Sequence, residues 1–187
     1  IIAILLIISI WIISQIFIIA FSYYTTREII FIQHFNVMAG NIIGQFFGNS
    51  LLEEMIFRGI LLIQLYLIFI AKYSNKMTII YSLAASAVIF VLSHIPNRIL
   101  TYIPDSLVID TMSLLFGSTL LGIIFLKTKN LPFVIGFHSL VNYPSNIIVT
   151  NIPTEPIIFA LVIIITLKWD KIIGKETEYL LPTAEPI

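Results

Sequence analysis

Long apolar runs alternate with short polar interruptions along this chain, at a spacing that suits a lipid bilayer. A membrane-spanning helix needs about 20 mostly apolar residues. Residues 1–21 carry no charge, 77–94 contain no Asp, Glu, Lys or Arg, 106–126 contain only Asp110, and 131–149 contain none. Residues 51–71 are apolar apart from Glu53, Glu54 and Arg58 near one end, and 155–169 form a shorter final run with Pro156 at a first-turn position. Residues 29–52 are uncharged but hold His34, Asn36, Asn41 and Gln45, and Gly40, Gly44 and Gly48 recur at every fourth position. That stripe of small residues predicts a closely packed spanning helix, the alternative being a glycine-rich re-entrant or interfacial segment. Tight turns are expected at Lys72–Lys76 and Lys127–Asn130, and a loop from Asn97 to Asp105 with prolines nearby. The pattern predicts an all-α, polytopic transmembrane bundle of six or seven helices. With no repeat, linker or second composition, residues 1–187 read as one domain with a polar tail over 170–187.

Composition strengthens this picture. The chain is 59% hydrophobic and 11% charged, against about 45–50% and about 25% in soluble domains. Its formal net charge is zero, so no basic face invites nucleic acid. It has no cysteine, which excludes disulfides, thiolate metal sites and cysteine nucleophiles. The chain starts at Ile1 without Met, as numbering that begins inside a longer protein would. Residues 1–21 lack a basic leader and read as a spanning helix, not a signal peptide. The Ile- and Asn-rich composition points to a bacterial or archaeal cell membrane. If all seven runs span and the 72–76 turn is cytoplasmic, Arg27, Lys72, Lys76, Lys127, Lys129, Lys168, Lys171 and Lys175 lie inside and only Arg98 outside, the bias expected of basic residues.

Ionisable groups within spans are costly and mark function. Three elements stand out. The first is Glu53-Glu54-Met55-Ile56-Phe57-Arg58-Gly59. On an α-helix Glu54 and Arg58 lie about 40° apart and can pair, while Glu53 points about 140° away from Arg58. The two carboxylates therefore have different tasks: Glu54 is charge-compensated, and Glu53 is left to bind or to move a proton. A blander reading is that Ser50-Leu51-Leu52-Glu53 is a capping box closing a helix N-terminus. The second element is Phe90-Val91-Leu92-Ser93-His94, with Phe90 and His94 on one face; by itself His94 is an interfacial histidine. The third is His138-Ser139-Leu140-Val141-Asn142, where His138 and Asn142 share a face and each needs a polar partner in lipid. Taken alone, that pair serves equally well as an interhelical hydrogen bond. Together, a carboxylate, two histidines and an amide can activate water and stabilise an oxyanion, or hold a divalent metal.

In this order the three elements resemble the CPBP family of intramembrane proteases, which includes the CAAX prenyl-protein endopeptidases and bacterial bacteriocin-processing or self-immunity proteins. E-E-x-x-x-R matches Glu53, Glu54 and Arg58, followed by a fitting Gly59. F-x-x-x-H matches Phe90 and His94, and H-x-x-x-N/D matches His138 and Asn142. The segment Leu131–Phe137 before His138 also looks like the family, and the resemblance covers about residues 50–145. It implies hydrolysis of a peptide bond in a membrane-associated peptide or lipidated protein, with Glu53, Glu54, His94, His138 and Asn142 catalytic and Arg58 and Phe90 in support. In that reading Glu53 is the general base, His94 orients the water, and His138 and Asn142 face the oxyanion. Glu53, His94 and His138 would be the ligands of a metal such as zinc, although a metal-independent glutamate mechanism is the slightly favoured expectation. Other intramembrane protease classes fit less well: H-E-x-x-H and G-x-S-G are absent, and Asp105 and Asp110 lack the surroundings of an aspartyl pair. The competing classes are a non-proteolytic bacteriocin self-immunity or scaffold protein on the same fold, and a small transporter whose ionisable residues line an ion path.

Overall fold

A computed structural model describes residues 1–101 and 104–173, with the side chains of 101, 104 and 105 also outside the description. The expected polar tail beyond Ile173, Lys175 and the Asp105 side chain therefore lie outside the described residues.

The described residues are helical almost throughout. In order they form α1 (Ile2–Thr26), α2 (Phe35–Ile43), a π-helical segment (Gly44–Ser50), α3 (Leu51–Glu54), a second π-helical segment (Met55–Leu62), α4 (Ile63–Ile70), α5 (Asn75–Thr101), α6 (Pro104–Thr128), α7 (Leu131–Asn142), α8 (Glu155–Leu167) and α9 (Trp169–Ile172). Helix α1, residues Asn75–Leu100 of α5 and residues Ser106–Thr128 of α6 are each long and apolar enough to cross a membrane; α7 and α8 are shorter apolar helices. The fold class is the expected one, an all-α chain of membrane-spanning helices.

Several boundaries differ from the expectation. The runs 29–52 and 51–71 are not two helices with a turn between them: helical residues follow one another without a break from Phe35 to Ile70. The eight-to-one count of basic residues assumed that turn, so the count loses one change of side. Ser50 consequently sits inside a helical run, and the Ser50–Glu53 capping box does not form because there is no helix N-terminus there to cap. The expected loop at 97–105 is mostly helix. Pro96 lies inside α5, which continues to Thr101, and His94 is therefore an interior residue of the helix. The expected 131–149 span is helical only to Asn142. Pro144 follows Tyr143, and the chain then runs on in irregular form to Thr154; a residue before proline is pushed out of the α region.

The described residues divide into two compact units: one joins residues 1–53 to 130–173, and the other is residues 54–129. In the first, α1 packs against α7 and α8, and α7 also packs against the first π-helical segment. Gly136 makes the α1–α7 approach feasible, since a Cβ there would stand 2.6 Å from Ile7 Cγ1. Phe133 stacks obliquely on Trp169 with centroids 4.9 Å apart, and both are fully buried. The irregular segment after α7 is tied down by polar side chains. Gln15 Oε1 accepts from Ile147 N at 3.0 Å, Thr154 Oγ1 donates to Asn146 Oδ1 at 2.8 Å, and Trp11 Nε1 donates to Ser145 O at 3.2 Å. Such partners are obligatory for irregular backbone at membrane depth. By contrast, a Cβ at Gly40, Gly44 or Gly48 would meet nothing within 4 Å. The every-fourth glycine stripe is not a packing face here; the close approach belongs to Gly136, which has no such periodicity.

In the second unit α5 packs against α6 and α4 and against the second π-helical segment. Gly122 is the close contact on α6, where a Cβ would stand 2.7 Å from Leu83 Cδ2. Ser86 Oγ donates to Phe57 O at 3.3 Å, and Phe57 meets Phe90 edge-on at 4.9 Å.

Candidate active site

Glu53 and Glu54 lie on α3, a single α-helical turn between two π-helical segments. π-helical turns are rare and frequent at functional sites, because the extra residue per hydrogen bond re-aims neighbouring side chains. The boundary between the two units falls between these successive glutamates, and the two carboxylates have different surroundings.

In the second unit Glu54 is paired. Its Oε1 accepts from Arg58 Nη1 at 2.9 Å, with both side chains sealed from solvent at 0% and 1% exposure. Four residues are close to one turn in either helix type, so the expected pairing survives the π-helical geometry. Arg58 Nη2 donates to Ser118 O and to Ser118 Oγ, both at 2.9 Å, and the guanidinium lies over the Phe90 ring at 4.9 Å from its centroid. A charge this deep is tolerated only when paired and hydrogen-bonded. Ser118 was not among the expected site residues: no spacing ties it to Arg58, because the two meet only through the packing of separate helices.

His94 is reached from the same residues. Its ring lies 4.3 Å from that of Phe90, and its Nδ1 is 2.8 Å from Phe90 O. A carbonyl only accepts, so Nδ1 carries the hydrogen, and Nε2 is the basic nitrogen of the neutral ring. Phe90 thus connects Arg58, through its ring face, to His94, through both its ring and its carbonyl. Near the same end of α5, Arg98 pairs with Asp110 of α6 at 3.2 Å, both half-buried.

In the first unit Glu53 faces α7. Its Oε2 lies 3.6 Å from His138 Nε2, with side-chain exposures of 18% and 8%. This is beyond hydrogen-bond length and is a separation across which one water can bridge. His138 is carried on a helix capped by Asn130, whose Oδ1 accepts from Phe133 N at 3.0 Å, with Pro132 in the first turn. The structure therefore pairs Glu54 with Arg58, as their spacing on the helix implied, and brings Glu53, which points away from Arg58, to His138. Asn142 is the last residue of α7 and is exposed. Alongside α7 lies an apolar cavity of about 240 Å³, walled by Ile4, Ile8 and Trp11 of α1, by Phe46, and by Gly136 and Ser139 on either side of His138.

Residues 35–144 match the model of the Rce1-like type II CAAX prenyl endopeptidases. The chain belongs to that family. The match takes in all three motif elements, from Glu53 to Asn142, and the family is one of proteases acting within membranes. The apolar helices and this membership make the chain an integral membrane protein and a CAAX-type endopeptidase at the level of the family. No curated protein and no solved structure matches the chain significantly. Among the described residues no three His, Asp or Glu side chains are grouped to hold a metal ion.

Proposed function

We propose that this chain, as a single multi-pass protease domain, hydrolyses a peptide bond near the C-terminus of a lipidated, membrane-bound protein, with Glu53 as the general base. The observation that carries this reading is the Glu53–His138 pair at 3.6 Å: a partly accessible carboxylate beside a histidine, at a motif position of the family. A water between the two gives its proton to the Glu53 carboxylate as its oxygen bonds to the scissile carbonyl carbon. The oxyanion is met by His138, with Asn142 contributing once substrate is bound. The C–N bond then breaks, and the proton on Glu53 passes to the leaving amine. His94, with Nε2 as its basic nitrogen, orients the water. Glu54 stays outside this sequence of proton transfers, since its charge is held by Arg58.

The cavity beside α7 supports the lipidated substrate. A C-terminal C-a-a-X box is prenylated on its cysteine, within a few residues of any bond cut in the box. The cavity runs along α7, walled there by Pro132, Gly136, Ser139 and Leu140, and is lined almost wholly by apolar groups, which suits a hydrocarbon chain.

The test is cleavage of a prenylated C-a-a-X peptide by the purified protein in detergent. Wild type should release the C-terminal fragment, and Glu53→Gln, His94→Ala and His138→Ala should each stop release. Cleavage undiminished in Glu53→Gln contradicts the assignment.

A further inference from the structure

Ser50 is fully buried, and its hydroxyl has no hydrogen-bond partner among the described residues. Several buried helical hydroxyls among the described residues bond to their own backbone, whereas Thr166 Oγ1 of α8, like Ser50 Oγ, has no partner among them. Ser82 Oγ and Thr128 Oγ1 are fully buried, and each donates to the carbonyl four residues back, at 2.7 Å. Ser50 does not do this. It ends the first π-helical segment, and the carbonyl four residues back, Phe46 O, accepts instead from the Leu51 N–H, five residues on. The serine hydroxyl is left buried with donor and acceptor capacity unused. A buried polar atom in that condition is what an internal water serves.

Ser50 precedes Glu53 by three residues, and in a helix such residues are neighbours on one face. We infer that Ser50 positions the hydrolytic water: its Oγ holds, beside the Glu53 carboxylate, the water that Glu53 deprotonates. The inference rests on Glu53 being the general base. In the step already described, one water hydrogen goes to Glu53 and the oxygen bonds to the scissile carbonyl carbon. Ser50 Oγ donates a hydrogen bond to one lone pair of that water, which fixes the direction of the other, attacking lone pair. Ser50 itself neither gains nor loses a proton.

The inference is tested by two measurements on the full chain. In an experimental map at a resolution that shows waters, an ordered water within hydrogen-bond distance of both Ser50 Oγ and Glu53 is expected. A Ser50 hydroxyl bonded only to protein atoms overturns the inference. In kinetics with a prenylated peptide, Ser50→Ala should lower kcat about tenfold, the size of one lost hydrogen bond in the transition state, with KM unchanged. Its melting temperature should be close to wild type, because the hydroxyl bonds to no protein group among the described residues. Ser50→Thr should be more active than the isosteric Ser50→Val. An unchanged kcat in Ser50→Ala, or a loss of activity that follows a loss of thermal stability, overturns the inference. The base assignment fails separately, if Glu53→Gln remains active, and the map decides the water in either case.

Discussion

Glu53 and Glu54 are successive residues of the same chemistry, yet one is 18% exposed and 3.6 Å from a histidine, while the other is sealed and 2.9 Å from an arginine. The difference comes from helical rotation. One residue turns the side chain by about 100°, which is enough to send Glu53 to α7 in the first unit and Glu54 to Arg58 in the second. A buried ion pair is expensive to break and unsuited to moving protons at neutral pH. A carboxylate near a neutral or cationic histidine, with some access, is suited to it. On the proposed mechanism the E-E dipeptide combines a structural and a chemical carboxylate.

The largest expected effect on stability tests the structural half. Glu54→Gln leaves the buried Arg58 charge without its carboxylate and should cost about 3–5 kcal/mol, read as a lower melting temperature in detergent. Neutralising Arg58 as well, in Glu54→Gln/Arg58→Met, should recover part of the loss. If the double variant melts no higher than the single one, the pair is not the source of the stability.

Glycine positions sharpen the same comparison between a packed and an open face. Gly136→Ala places a methyl 2.6 Å from Ile7, an overpacking expected to cost about 1–3 kcal/mol, relieved in Gly136→Ala/Ile7→Ala. Gly44→Ala has open space around it and should be neutral or slightly stabilising. Equal losses at the two sites would show that the glycine stripe does pack.

A smaller effect is expected at Phe90. Phe90→Leu removes the ring under Arg58 and beside His94, worth about 0.5–2 kcal/mol of stability for the cation–π contact. It should also lower kcat more than it raises KM, because the substrate does not depend on Phe90 for binding. A rise in KM alone would place Phe90 in the binding surface.

The sequence disclosed the helical class, because uncharged runs of membrane length have one economical use, and it separated the two glutamates by rotation alone. It also located His94 and His138, since each is an ionisable residue in an otherwise uncharged run. It could not disclose Ser118 as the second anchor of Arg58, because the contact joins residues far apart in the chain. The continuous helical run across 35–70 is not legible in the sequence, because hydropathy reports how much apolar chain there is, not whether a turn divides it. The glycine stripe misled for a related reason, since periodicity supplies a smooth face but not a neighbour to fill it. The role proposed for Ser50 rests on a buried hydroxyl without a protein partner among the described residues, which the sequence does not show, so there the residue looks like a cap.

The central claim, that the first glutamate does chemistry and the second holds the fold, is tested most directly by measuring cleavage and melting together for Glu53→Gln and Glu54→Gln. Glu53→Gln should lose activity by about 10²–10⁴-fold at a melting temperature close to wild type, whereas Glu54→Gln should melt well below wild type. An active Glu53→Gln, or a Glu53→Gln that melts lower than Glu54→Gln, would contradict the account.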